Sequence, residues 1–212
     1  MMLKDVTMGR YTGYAALVAL VLALLGATGA PAADAAPLWK FNGHLLTGTE
    51  TVIAKAIDER FGIPGLPTEC AHATMVLEIT NGGTSGGSAK VKEFLNEGCT
   101  AGSVCHVERF EAKKLPWSGH LATVGGKDYL VLEGMEIEVL YGGPQCAYAE
   151  VPVIVKGSAG GLIENSTETI TFNKTSESAT GTKLKAGASV VEWDALFATE
   201  AQGAHKGEML EG

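Results

Sequence analysis

The sequence predicts an all-β, mainly antiparallel protein: a sandwich or an open barrel of short strands, with at most one short helix and two disulfides. Three observations favour this class. Apolar and polar residues alternate along several segments, as they do in half-buried strands. The chain has 28 glycines, many of them in turn-like clusters, and 4 cysteines. About seven to nine short strands separated by such turns are typical of sandwiches and barrels.

The N-terminus predicts export. Lys4 and Arg10 precede an uninterrupted apolar run at 15–27, and small residues with a proline follow it. This is the three-part order of a secretory signal peptide, which we place at residues 1–32, with cleavage as late as residue 35 as the alternative. The run is shorter than the ~20 residues that cross a bilayer. We therefore expect a secreted or cell-envelope-associated protein with no membrane span after signal cleavage.

The charge limits the choice of partners. The formal net charge is −8, and it becomes one unit more negative when the signal segment, with Lys4, Asp5 and Arg10, is removed. Phosphate backbones and anionic lipids repel so acidic a chain. We predict no nucleic-acid partner.

The mature chain is long enough for one domain with a real core, or for two small ones. We expect a disulfide-stapled β domain at 33–157. Residues 158–212 are expected to form a C-terminal β extension, either separate or part of the same domain.

The first elements are a hairpin and a segment of uncertain type. Residues 39–48 predict a β-hairpin with Asn42 and Gly43 at its turn. Residues 52–61 carry the best helical pattern in the chain, so we expect a short helix there, with a strand as the alternative.

The remaining segments are mostly strands. We expect alternating strands, with Gly134 as a turn inside one of them, at residues 72–80, 90–95, 107–112, 127–141, 146–156 and 167–173. Residues 174–187 are polar and predict a long loop. Residues 189–199 fit either a strand or a short helix.

Four cysteines in an exported chain predict two disulfides, with three possible connectivities. We favour Cys99–Cys105, across a short flexible loop, and Cys70–Cys146, which would join the start of the core to its end. The second bridge closes a long loop and would contribute roughly 4 kcal/mol through loop-closure entropy.

Several motifs follow one another along residues 39–175: a Trp-x-x-Asn-Gly start, Cys70 followed by His72, a Gly/Ser-rich loop, Gly98-Cys99 with Cys105, Leu115-Pro116-Trp117, and Cys146. This order resembles a group of uncharacterised exported β-rich, four-cysteine proteins of high-GC Gram-positive bacteria. The resemblance implies an exported β fold and transfers no activity.

Two groups of residues could bind a metal or act as a nucleophile. Cys70 and His72, with Cys105 and His106, could form a Cys₂His₂ metal site, but export favours disulfides over the thiolates that zinc needs. Residues 83–87 match the Gly-x-Ser-x-Gly nucleophile pattern without the following helix that a nucleophile elbow requires. We therefore predict neither a bound metal nor another cofactor.

Glu136 and Glu138 are the candidate catalytic acids. They lie about 7 Å apart on one face of a predicted strand, and glycosidases use paired carboxylates at such distances. The strict alternation around them is equally typical of the solvated face of an amphipathic strand, which is the interpretation we favour.

Three functional hypotheses follow. The preferred one is an exported non-catalytic β domain, a structural or binding module of the cell envelope or extracellular space. Exposed tryptophans or tyrosines would point it towards a cell-wall or carbohydrate ligand. The alternatives are a small extracellular hydrolase that uses acidic residues and a surface subunit that assembles through exposed strand edges.

Overall fold

The computed structural model describes residues 36–63, 65–82 and 86–212. The predicted signal peptide and residues 83–85 of the serine motif lie outside these ranges. The structure is 68% strand and 4% helix, which confirms the all-β class.

The chain forms thirteen strands and one helix in the described ranges, and four of the strands have 15 or 16 residues. The elements are β1 (Lys40–Phe41), β2 (His44–Leu45), β3 (Thr49–Ile63), β4 (Leu66–Asn81), β5 (Gly87–Ala101), β6 (Cys105–Lys113), β7 (Trp117–Val124), β8 (Lys127–Gly142), β9 (Val153–Glu164), β10 (Thr169–Phe172), α1 (Lys174–Thr180), β11 (Leu184–Ala186), β12 (Ser189–Ala201) and β13 (Leu210–Glu211).

The large sheet closes on itself. From β3 the antiparallel pairings run through β4, β5, β6 with β7, β8, β9, β10 with β11, and β12, which pairs with β3 again. Every strand of this ring has partners on both sides. The mainly antiparallel architecture is therefore a closed barrel, and closure removes the free edges of an open sheet.

Two positions of the ring are each filled by two consecutive strands. β6 and β7 both pair with β8 in the same direction and are separated only by residues 114–116, where the Leu115–Pro116 peptide bond is cis. β10 and β11 both lie between β9 and β12, with helix α1 between them. β5 pairs with β7 only at residues 88–91 and with β6 only at residues 100–101, so the wall has a seam where residues 92–99 have no partner strand and Phe94 packs on Phe110 at a ring distance of 6.4 Å.

The helix expected at 52–61 is wrong, because this segment lies inside β3. Val52, Ala54 and Ala56 face the core, and after Asp58 the inward set changes to Glu59, Phe61 and Ile63. Asp58 has a φ of 61°, which shifts the alternation by one residue. Two strand halves that are out of phase place buried residues at helix-like spacings, and this produced the misleading pattern.

The later predictions were mixed. The alternation predicted within residues 127–141 is confirmed, because Met135, Ile137, Val139 and Tyr141 are buried on one face of β8, whereas Gly134 (φ 68°) lies at a bulge of β8 and not at a turn. Residues 189–199 belong to β12.

The loop expected at 174–187 is wrong, because the segment contains α1 and β11. The Asn173 side chain accepts a hydrogen bond from the Ser176 backbone N–H, and Gly181 ends the helix in a left-handed conformation. These local capping signals outweigh the polar composition that predicted a loop.

Aromatic side chains fill the barrel. Trp193 stacks on Phe172 at a ring distance of 4.1 Å and on Phe61 at 5.6 Å, while Phe94 meets it edge-on at 5.8 Å. All four are buried. Such pairs stabilise a core beyond the area they bury, by about 0.5–1.5 kcal/mol each.

A small sheet covers one end of the barrel, which we call the capped end. β1 pairs with β2 through Asn42 and Gly43, which confirms the predicted hairpin, and with β13 on its other side. Trp39 is fully buried here, and its indole N–H donates to the Ser88 carbonyl at 2.9 Å. The Asn81 side chain donates to the carbonyls of Trp39 and Leu46 and fixes the sheet to the barrel.

Residues 35–212 form one compact unit. The expected boundary at 157 falls inside β9, and β10, β11 and β12 complete the ring. Residues 158–201 therefore complete the barrel wall, and β13 joins the capping sheet.

Candidate functional site

The favoured disulfide pairing is wrong, although all four cysteines are bonded. The bridges are Cys70–Cys99 and Cys105–Cys146. Cys70 and Cys99 lie directly opposite each other on β4 and β5. The turn that joins β5 to β6 places Ala101 opposite Cys105, and Cys99 lies two residues further along β5.

The geometry separates the candidate metal ligands. The alternation of β4 changes phase at Ala71, so Cys70 is buried in the barrel while His72 is exposed outside it. Cys70 and Cys105 have no free thiolate, because both are in disulfides. Within the part of the chain that the structure describes, no group of three or more His, Cys, Asp or Glu side chains is arranged to hold a metal.

Glu136 and Glu138 lie on the outer face of β8, where cations neutralise them. Lys114 and Lys156 approach Glu136 at 2.6 and 3.1 Å, and Arg109 binds Glu138. The hydrogen bond from Lys114 is the main cause that lowers the pKa of Glu136. A catalytic acid needs a raised pKa, which Glu136 lacks, and the contacts of both residues are those of surface ion pairs.

We expect Glu136→Gln and Glu138→Gln to leave unchanged any turnover that the protein shows on chromogenic ester, peptide or glycoside substrates. Their effect should be confined to a small change in melting temperature that high salt reduces, because exposed ion pairs are screened. Loss of turnover in either variant, with its melting temperature unchanged, would restore the acidic-hydrolase hypothesis.

Sequence reasoning missed three buried acids: Glu50, and two that contact Trp193, which are Glu59 and Glu177. The Trp193 indole N–H donates to Oε1 of Glu59 at 2.6 Å, and Oε2 has no partner among the described residues. Burial raises the pKa of Glu59 to about 8, and the Trp193 hydrogen bond opposes this only in part. Glu59 is fully buried because the phase shift at Asp58 turns it inward. The sequence signal that could have indicated this burial is the alternation after Asp58, which places Glu59 on the same face as Phe61 and Ile63.

The second acid, Glu177, comes from α1. Its carboxylate accepts a hydrogen bond from the Trp193 backbone N–H. Trp193 lies on β12 at the point between β10 and β11, where neither of these strands pairs with β12. Burial is the main cause that raises its pKa to about 7, and the nearby negative charges of Asp194 and Glu192 add to it. Glu177 thus closes the wall of the barrel, and neither acid opens onto a groove among those described.

Most candidate stacking aromatics are in the core. The three tryptophans, Tyr129 and Tyr141 are buried, and the Tyr141 hydroxyl bonds with Thr68 at 2.7 Å. Among the tryptophans and tyrosines of the described ranges, only Tyr148 is exposed, with 40% of its surface accessible.

Tyr148 lies at the end of the barrel opposite the cap, which we call the loop end: residues 65, 102–104, 143–152 and 187–188. The loop at 143–152 is fixed at several points. Cys146 ties it to the start of β6, and its backbone donates from Ala149 to Cys146 at 3.1 Å and from Glu150 to Tyr141 at 3.1 Å. Gly143 packs so closely on the Val104 carbonyl that a Cβ would be 2.5 Å from it. Tyr148 therefore lies on a loop that a disulfide, backbone hydrogen bonds and close packing tie to the barrel.

Two grooves flank Tyr148, and its side chain is part of both. One, of about 310 Å³, runs along the β5–β6 turn and includes Leu66, Ser103, Val104 and Gln145. The other, of about 260 Å³, runs along the β11–β12 turn and includes Ile63, Pro152 and Ser189. No charged side chain lines either groove among the described residues.

A larger groove, of about 400 Å³, lies on the outer wall where β3, β4 and β5 bend. It is lined by Asp58 and by Arg60 and Glu69, which pair with each other at 3.7 Å. The Arg60–Glu69 pair already satisfies two of its charges, and no aromatic ring lines it. The loop end is therefore the better candidate site.

Among the described residues, no helix has the length and apolar character needed to cross a lipid bilayer. Comparisons with protein-family models, with curated proteins and with solved structures found no match.

Proposed function

We propose that this protein is an exported, non-catalytic binding module, secreted or associated with the cell envelope, and that it binds its ligand at the loop end. The observation that carries the proposal is Tyr148, an exposed aromatic ring on a fixed loop between two uncharged grooves. Concave sites with an aromatic wall and a few polar groups are the usual form of ligand sites in proteins.

The rigidity of the loop supports this assignment. A site that is ordered before its ligand arrives loses less conformational entropy on binding. The Cys105–Cys146 bridge and the backbone hydrogen bonds of residues 143–152 supply that order.

The compartment is supported by two independent features. The N-terminal pattern is that of a signal peptide. The two disulfides are typical of proteins that fold in oxidising surroundings outside the cytosol.

The closure of the barrel argues against assembly through strand edges. Two kinds of unpaired edge are left in the described residues. One is the seam between residues 92–99 of β5 and 107–113 of β6, across which Phe94 packs on Phe110. The other is the small capping sheet, whose strands have two residues each. Such short edges do not template a neighbour well. We expect the purified protein to be monomeric on a sizing column, and large species would favour the assembly hypothesis.

The test of the proposal is Tyr148→Ala. Because Tyr148 is exposed, we expect the variant to fold and melt like the wild type, yet to lose at least about tenfold in affinity for whichever probe the wild type binds. The probes are neutral oligosaccharides, anionic oligosaccharides, muropeptides and apolar peptides, titrated into the isotope-labelled protein and followed by NMR.

The matched control is Leu196→Ala, because Leu196 is an exposed apolar residue on β12, away from the loop end. Its affinities should equal those of the wild type. The proposal fails if no probe binds in a manner that depends on Tyr148, or if a bound probe is chemically converted.

A further inference from the structure

We infer, on the basis of the proposed function, that the loop end recognises a neutral glycan strand, a chain of uncharged pyranose units that crosses Tyr148 and occupies both grooves. The lining of the grooves, their arrangement around one ring, and the closure of the barrel each support this class of ligand.

The charges of the site point to an uncharged ligand. Charged residues make up 19% of the chain, yet none of the described residues lining either groove is charged. A bound polyanion would need lysine or arginine, and the negative chain would repel it. A cationic ligand would need a carboxylate in the lining, and the described lining has none.

The shape of the site fits a chain of sugar rings. Tyr148 lines both grooves, so a ligand that fills both would contact Tyr148 in each. A pyranose presents an apolar face of C–H groups, which packs on an aromatic face, and a rim of hydroxyls. Ser103, Gln145 and Ser189 supply uncharged donors and acceptors beside the ring.

The glycines of the site leave the backbone accessible. A Cβ added at Gly65, Gly102 or Gly187 would meet no protein atom within 4 Å. The space above these turns is therefore free for the hydroxyls of a ligand.

The common modes of peptide recognition do not fit this site. Addition of a strand requires a free edge, but beside the grooves Ala101 pairs with Cys105, and Ala186 pairs with Val155 and Ser189. Recognition of proline-rich peptides uses grooves lined by several aromatic rings, and here a single ring, Tyr148, is exposed. Phosphopeptides require an arginine cluster, which is missing from the described lining.

The experiment uses the full mature protein and three neutral hexasaccharides, built from glucose, mannose and N-acetylglucosamine. The comparison probes are a hexagalacturonate and an apolar peptide of similar length. We expect at least one neutral hexasaccharide to bind, with an affinity that does not change between low and high salt. Tyr148→Ala should weaken it at least about tenfold, and Tyr148→Phe, which keeps the ring, only about two- to threefold.

The outcomes separate this inference from the proposed function. If only the hexagalacturonate or the peptide binds in a manner that depends on Tyr148, the glycan inference is wrong and the binding function stands. If none of the probes binds in that manner, both are wrong. If a neutral hexasaccharide binds, and Leu196→Ala binds it like the wild type, the inference is supported.

Discussion

Replacing Glu59 with glutamine is expected to make the barrel more stable than the wild type at neutral and mildly alkaline pH. Burial raises the pKa of this carboxyl from 4.5 to about 8 in the folded protein. The folded barrel therefore keeps a proton that the unfolded chain releases. Glutamine is neutral at every pH and can still accept the hydrogen bond from Trp193.

The direction of the pH dependence follows from the proton count. Between about pH 4.5 and pH 8 the folded state binds one proton more than the unfolded state, so the wild-type free energy of unfolding falls by about 1.4 kcal/mol per pH unit from this group. The stability is fully present below the unfolded pKa and is lost as the pH rises to the folded pKa. The difference between variant and wild type should reach several kcal/mol at about pH 8.

Urea unfolding at about pH 5 and about pH 9 measures this effect. The matched control is Glu50→Gln, because Glu50 is also buried but accepts hydrogen bonds from the Gly203 and Ala204 backbone N–H groups. That variant should show no gain at alkaline pH. Parallel pH profiles for the wild type and Glu59→Gln would contradict the assignment of Glu59 as a buried neutral acid.

Removal of either disulfide by a pair of serines is expected to destabilise the protein by about 3.5–4 kcal/mol, which is the loop-closure entropy for loops of 29 and 41 residues. The two double variants should thus have similar stabilities. Their effects on binding should differ, because Cys105–Cys146 is bonded to the Tyr148 loop itself, whereas Cys70–Cys99 joins β4 to β5.

Each double variant serves as the control for the other. Denaturant unfolding gives the loss of stability, and titration with the probe that the wild type binds gives the affinity under conditions where both variants are folded. We expect weaker binding only for Cys105→Ser/Cys146→Ser. Equal affinities in the two variants would mean that the bridge does not order the site.

Much of the fold could be predicted because alternation and turn chemistry are local. The strand around Ile137 and the turn at Asn42 are determined by the few residues on either side of each. The disulfide pairing could not be predicted, because it depends on which strands become neighbours. Asp58 shows a second limit: a one-residue phase shift in a strand cannot be told from a helical period without the partner strand.

The site was hidden for a similar reason. Trp39, Trp117 and Tyr148 are all aromatic residues near glycine or proline, and the sequence alone does not say which of them the barrel buries. The exposure of Tyr148 follows from the path of the loop at 143–152. That path is fixed by Cys146 and Gly143, whose contacts, Cys105 and Val104, lie at the β5–β6 turn.

The pairing of β1 with β13 has a practical consequence for experiments on this protein. Lys40 lies beside Glu211, so both ends of the described barrel emerge together at the capped end. A tag, a fluorophore or a surface attachment at either end would leave the Tyr148 side of the barrel pointing away from it. Chain ends this close also make the barrel a good subject for circular permutation, with new ends opened in a surface turn such as Gly125–Gly126.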